Sequence, residues 1–295
     1  MTQNQPFTGV YPAITTPFDE NSEIDHEQVR SDVRRLEAAG VDGLVPAGST
    51  GESATLTHDE HIELVETVVD EASVPVIAGT GSNATHEAVS LSRRAAAAGA
   101  DGLLLVSPYY NLPHADGQEE HFRTIADEVD LPQIIYNVPG RTGQNIYIDT
   151  AVSLASHENI VGYKAASTDL ERISEVIERT QDETFAVLSG DDPVTLPIMS
   201  IGGMGTVSVA ANVIPELVCD MVSAALDEDY ERAREIHHRI GPVSRAMFCE
   251  TNPIPVKAAM GLCGYGPERV RLPLTEISEE NRENLRSVLA DLDQV

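Results

Sequence analysis

Lys164, in the stretch NIVGYKAAST (159–168), is one of two lysines in a chain of 295 residues; the other is Lys257, in NPIPVK. Of the 19 basic residues, 17 are therefore arginine. A buried amine can do what a guanidinium cannot. An apolar strand end disfavours its charged form and lowers its pKa, leaving a neutral nitrogen able to attack a ketone carbon, whereas arginine stays protonated. The competing account of Lys164 is a stem covering apolar surface with its head paired to an acid. In a chain that otherwise carries positive charge on arginine, the amine reading explains the lysine better. For Lys257, in a helical tail, the preference reverses and an acid partner is expected.

Forming and breaking an imine needs a neighbour that both gives and takes a proton. Tyr136, one strand before Lys164, is the leading candidate, set against a barrel tyrosine whose hydroxyl is merely satisfied. Ser49 and Thr50 lie in a Gly-flanked turn, AGSTGES, whose hydroxyls and backbone N–H groups can hold a carboxylate or simply cap the turn. Arg141, after a Pro-Gly turn, offers a fork for a second carboxylate or a surface ion pair. THDEH lacks metal-protease spacing, and Thr57 with Glu60 fits a helix capping box instead, so no metal is expected. GTGSNAT is an incomplete dinucleotide signature, and SGDDPV places two acids where a phosphate would have to sit.

Eight short apolar runs must position these groups: 9–15, 43–48, 74–80, 101–108, 133–139, 161–165, 185–190 and 205–212. Helical spacing separates them, as in Val29, Val33 and Leu36, in Ile62, Val65 and Val69, and in Leu170, Ile173 and Ile177. The phrases EAAGVDGLVPAG and AAAGADGLLLVSP repeat one helix-end, glycine-turn, strand-start pattern. Eight such units with strands apolar on both sides predict an α/β fold, a closed (β/α)8 TIM barrel over 1–212 carrying the active site, with a C-terminal helical extension over 213–295. In a parallel barrel the functional groups gather at the C-terminal strand ends, which is where GSTGES, SPYYN, YNVPGRTG and GYKAAS fall.

Composition narrows the class. With 48 acidic residues against 19 basic ones, a formal net charge of -29 and a pI near 4.4, nucleic acid is not an expected partner. The 41% of hydrophobic residues and regular periodicity argue for a buried core rather than disorder, so the acids lie outside. Such a surface tolerates molar salt, where the Debye length is about 3 Å, and a salt-loving cytoplasm is expected. A stability titration showing no need for salt would sink that expectation. MTQNQPFTGVYPAITTPF has no basic or apolar leader pattern and no apolar run reaches membrane length, so a cytoplasmic chain is expected. Cys219, Cys249 and Cys263 are odd in number with no CxxC spacing, and buried free thiols are expected.

Taken in order, GSTGES, PYYN, YNVPGRTG, the strand-end lysine, SGDD and NPIPVK resemble the dihydrodipicolinate synthase and N-acetylneuraminate lyase family of pyruvate-dependent class I aldolases, from about Phe7 to Leu289. The resemblance implies that Lys164 forms a covalent imine with pyruvate and needs no other cofactor. It implies Tyr136 as proton donor and acceptor, linked through Thr50 to a Tyr110 supplied by the adjacent subunit of a homotetramer built as a dimer of dimers. It assigns Ser49 and Thr50 to the substrate, Arg141 to the carboxylate of an aldehyde, and Gly190 and Val207 to the pyruvate site. The arginine of YN-x-P-x-R-T-G, absent from the neuraminate lyases, favours a short anionic aldehyde over a sugar, and the resemblance implies aspartate semialdehyde as second substrate, on the route to diaminopimelate and lysine. Members inhibited by lysine bind it at positions matching Ser53, Ala54, His58, His61, Asn83, Glu87 and Tyr109, so L-lysine is an expected effector.

Two departures stand out. Ser49 replaces a second threonine, and Ala165 replaces a glutamate that follows the lysine, which would remove a carboxylate beside the imine. The rivals are an aldolase for a 2-keto-3-deoxy sugar acid, a neuraminate lyase-like enzyme, and a silent barrel that binds a keto acid or lysine as a regulator. The joint presence of Lys164, Tyr136, Thr50, Tyr110 and Arg141 argues against silence.

Overall fold

The computed structural model describes residues 7–294. Residues 1–6 and 295 lie outside it, including the start of the N-terminal stretch read above as leaderless. Among the described residues seven parallel strands curl into one sheet: β1 Gly9–Pro12, β2 Ile77–Gly79, β3 Gly102–Val106, β4 Gln133–Asn137, β5 Ile160–Ala165, β6 Ala186–Ser189 and β7 Gly205–Ser208. Their order is β1-β7-β6-β5-β4-β3-β2, so β1 and β2 are left at the two edges.

The run expected as a strand at 43–48 fills that gap without becoming a strand. Val45 N–H donates to Pro12 O at 2.9 Å and Ile14 N–H to Val45 O at 3.1 Å on one side. On the other, Ile77 N–H donates to Leu44 O and Gly79 N–H to Pro46 O, both at 2.9 Å. Pro46 has no N–H to give, and Ala47 turns the chain at φ 56, so the ladder stops after isolated bridges. The ring still closes, and the (β/α)8 barrel stands with one stave reduced to bridges.

Between staves run α1 His26–Ala38, α2 His58–Glu71, α3 Thr85–Ala97, α4 Ala115–Glu128, the short α5 Pro139–Thr142, α6 Ile148–Ala155, α7 Leu170–Thr180 and α8 Thr195–Ser200, and α9 Pro215–Leu226 follows the last stave. Val29, Val33 and Leu36 of α1 are buried as their spacing predicts, and α2 opens with the Thr57–Glu60 capping box. On α7 the stripe shifts: Ile173 and Val176 are buried while Leu170 is exposed. Then come α10 Tyr230–Ala246, α11 Ile254–Leu262 and α12 Glu279–Ala290.

Alternation along each strand divides the apolar side chains between two layers. Leu104, Ile134, Tyr136, Leu188 and Val207 fill the barrel interior. Leu103, Leu105, Ile135, Tyr163 and Ala165 pack outward against the helices. A third cluster joins α9 to α12 over Val10 and Val209. The three cysteines are free, as expected, but they are not buried: Cys249 is exposed and Cys219 and Cys263 are half-buried. Cys263 caps the end of α11 and Cys249 follows α10, positions outside the buried stripes.

Candidate active site

Tyr136 on β4 and Lys164 on β5 are directly paired in the parallel register, with Leu188 of β6 next in the row. Both side chains therefore enter the barrel at one level, near its C-terminal mouth. The Lys164 nitrogen lies 4.1 Å from the centre of the Tyr136 ring, and Lys164 is 5% exposed. Burial lowers its pKa to about 7; Asp192 opposes that shift by favouring the ammonium, and Arg141 adds to it. At neutral pH a large share of the amine is thus unprotonated. Burial raises the Tyr136 phenol, while the Arg141 charge and a hydrogen bond with the Ser49 side chain pull it back.

The space for the lysine is made by Gly190, just past β6. A Cβ built there would stand 2.7 Å from Lys164 Cε and 3.0 Å from Ala166 Cβ, so the side-chain-free position is what lets the amine stem lie flat across the strand end. Asp192, buried, takes N–H bonds from Val209 at 2.9 Å and Ala210 at 3.0 Å and the hydroxyl of Ser208, and this fixes its carboxylate. Val207 lines the interior below, wholly buried.

Ser49 and Arg141, which act on Tyr136, also line a cavity of about 580 Å³ together with Asn252, Ser53, Ala54, His58, His61, Glu87 and Tyr109; Lys164 and Tyr136 are not part of its lining. Arg141 donates to Asn252 O at 2.6 Å, and Asn252 Nδ2 donates to Thr50 Oγ1 at 2.9 Å. Asn252 thereby joins the guanidinium to the hydroxyl turn. Thr50 is buried and Tyr110 is 87% exposed, so one chain alone does not close the expected link from Tyr136 through Thr50 to Tyr110.

Six of the seven residues expected to hold lysine line the cavity, and Asn83 stands next to it, its Oδ1 3.5 Å from the hydroxyl of Ser82. His58 pairs with Glu87 at 3.1 Å. His61 instead faces the barrel wall: its Nε2–H donates to Gly79 O at 2.7 Å, and burial pushes its pKa down to about 4, keeping it neutral.

The profile described as the dihydrodipicolinate synthetase family matches residues 6–292. The chain belongs to that family. It is 64% identical over 288 residues to the 4-hydroxy-tetrahydrodipicolinate synthase of Haloarcula marismortui, covering 97% of this chain and 94% of that one. Among solved structures, the chloride-inhibited dihydrodipicolinate synthase of Acinetobacter baumannii complexed with pyruvate superposes with a TM-score of 0.95 at 39% identity, covering 98% and 99% of the two chains. The synthase of Cyanidioschyzon merolae with lysine bound gives 0.94 at 41% identity, again covering 98% and 99%.

Within the family frame, the departure at Ala165 changes meaning. Lys164 points into the barrel, so Ala165, the next residue on β5, points out among the helices with Tyr163 and is wholly buried there. The position is adjacent to the lysine in sequence and on the opposite face of the sheet. The expectation of a lost charge beside the imine is therefore corrected.

Three residues of the site carried no assigned role in sequence. Asn252 and Asp192 lie inside quoted motifs, NPIPVK and SGDD, but only the fold brings the first to Thr50 and the second toward Lys164. Glu52 lies two residues past Thr50, and its ion pair with Lys257, at 2.6 Å, spans 205 positions.

Proposed function

We propose that this chain condenses pyruvate with L-aspartate 4-semialdehyde to give 4-hydroxy-tetrahydrodipicolinate, through an imine on Lys164. The observation that carries this reading is the amine of Lys164, desolvated, stacked over Tyr136 and given room by Gly190. The neutral nitrogen attacks the keto carbon of pyruvate, and the carbinolamine loses water to form the iminium. Tyr136 delivers and removes the protons these steps require. Loss of a methyl proton gives an enamine, whose carbon attacks the aldehyde of the second substrate. That substrate's own amine then attacks the imine carbon, closes the ring and expels Lys164, so that one water is released per product.

Ser49 and Thr50 hold the pyruvate carboxylate, with Gly190 and Val207 shaping its pocket, and Arg141 holds the carboxylate of the aldehyde. The cavity residues Ser53, Ala54, His58, His61, Glu87 and Tyr109, with Asn83 beside them, take L-lysine as effector; full activity at saturating lysine would refute this. Tyr109, Tyr110 and Leu112 form an exposed apolar loop, 38%, 87% and 45% accessible, which suits an adjacent subunit receiving Tyr110 at its Thr50, in a tetramer built as a dimer of dimers. Sedimentation showing only monomers would end that assignment. The reading also divides the chain into a site-bearing barrel, 1–212, and a helical extension, 213–295. No described helix is long and apolar enough to cross a membrane.

Borohydride reduction with pyruvate, followed by mass spectrometry, tests the mechanism: an adduct of reduced pyruvate on Lys164 is expected, and its absence there overturns the imine. The ratio of kcat/KM for aspartate semialdehyde over glyceraldehyde tests the second substrate, and a ratio below one would move the assignment to a sugar-acid aldolase.

A further inference from the structure

The second lysine is as buried as the first, and no step above uses it. Lys257, on α11, is 1% exposed, and its nitrogen donates to Glu52 Oε1 at 2.6 Å and to Thr16 O at 2.7 Å, above the ring of Phe18 at 4.3 Å. The other oxygen of Glu52 accepts the N–H of Arg271 at 3.0 Å. Glu52 itself has φ 54 and ψ 34, a left-handed conformation that a side-chain-bearing residue keeps only when its surroundings hold it.

What Glu52 ends is the turn that carries Ser49 and Thr50. The turn closes on itself through Glu52 N–H to Ser49 O at 3.2 Å and Ser53 N–H to Gly48 O at 3.2 Å. From outside it is gripped by Thr16, whose hydroxyl donates to Gly51 O at 2.6 Å, and by Asn252 on Thr50. Asn252, Lys257 and Arg271 all follow the barrel strands in sequence, so the C-terminal segment meets this one turn at three successive points. Thr50 is tied to Arg141 through Asn252, while Glu52 faces the charge on α11.

We infer that Glu52 and Lys257 are a positioning pair for the pyruvate site: the buried charge on α11 locks Glu52 in its left-handed turn and so fixes the Ser49 and Thr50 hydroxyls that receive the keto-acid carboxylate. The C-terminal segment is thereby part of the binding apparatus. This rests on the pyruvate reading above. The pair touches neither Lys164 nor Tyr136, so its loss acts on substrate affinity before it acts on the nucleophile.

Two variants test it. Glu52→Gln with Lys257→Met removes both charges together and leaves no unpaired ion in the interior. Glu52→Asp keeps the charge but shortens its reach by one methylene. In each, KM for pyruvate is expected to rise about 10- to 100-fold, the cost of displacing a binding group by an ångström. Borohydride at saturating pyruvate should still label Lys164. A folded variant, by circular dichroism and melting temperature, with unchanged KM for pyruvate overturns the positioning role. So does a loss of activity that only follows the folded fraction, with KM constant. If the unsubstituted chain itself gives no adduct, the imine reading falls, and this role falls with it.

Discussion

Lys164 and Lys257 are chemically identical, both buried, and held to opposite ends. Lys257 sits against a carboxylate at 2.6 Å and a carbonyl at 2.7 Å. Lys164 has an aromatic face at 4.1 Å and, among the described residues, no acid in ion-pair contact. Burial lowers both, to about 8 for Lys257 and about 7 for Lys164; Glu52 opposes the first shift and the more remote Asp192 the second. Burial alone therefore does not make a nucleophile. What separates the two is whether the fold supplies a counter-charge in contact, because a paired ammonium is stabilised in place while an unpaired one gives up its proton.

The comparison breaks most sharply under substitution. Lys164→Met should lower kcat by about 10⁴-fold or more, the scale seen when a covalent nucleophile is removed, while the melting temperature stays level or rises because no charged partner is left behind. Lys257→Met should do the reverse: unfolding in denaturant should show a loss of about 3–5 kcal/mol, since Glu52 is left buried and unpaired, while Lys164 in the folded fraction is still labelled. Equal loss of stability in both variants would mean that the two sites are not different in kind.

Gly190→Ala sharpens the point by touching Lys164 without removing it. The added methyl would stand 2.7 Å from Cε, so the amine must shift, and the rate of pyruvate labelling should fall about 100-fold with little change in stability.

The smallest effect is on pH. Imine formation should rise through a midpoint near pH 7 and level off above it, because the neutral amine is the reactive form. Arg141→Ala removes a charge that lowers the Lys164 pKa, so the midpoint should move to higher pH. The same depression has a consequence for stability. Between pH about 7 and the ordinary 10.5 the unfolded chain binds more protons at this lysine than the folded one, so its contribution to stability improves as pH rises across that window.

Much of this was legible in the residues. The apolar runs and their helical spacers marked every stave, and the one that shortened, at 43–48, did so at Pro46 and Ala47, where a missing N–H and a positive φ end a ladder. The strand-end lysine and Tyr136 were legible because period-two strands in a parallel barrel leave few places for a polar side chain to go. Ala165 was misjudged although the same alternation was available: neighbours in sequence on a strand are on opposite faces. The buried glutamate at 52 was not legible, since nothing local distinguishes it from the exposed acids of so acidic a chain.

The sequence by itself determined which groups could react, since a lone strand-end amine among arginines and an ordered set of hydroxyls, phenols and a guanidinium are properties of residue type and local spacing. Tertiary structure alone decided how those groups are charged and held. The pairings of Lys257 with Glu52, of Asn252 with Thr50 and Arg141, and the approach of Asp192 to Lys164 join positions far apart in the chain. The pKa of a buried group depends on desolvation and on the charges around it, and neither exists until the chain has folded.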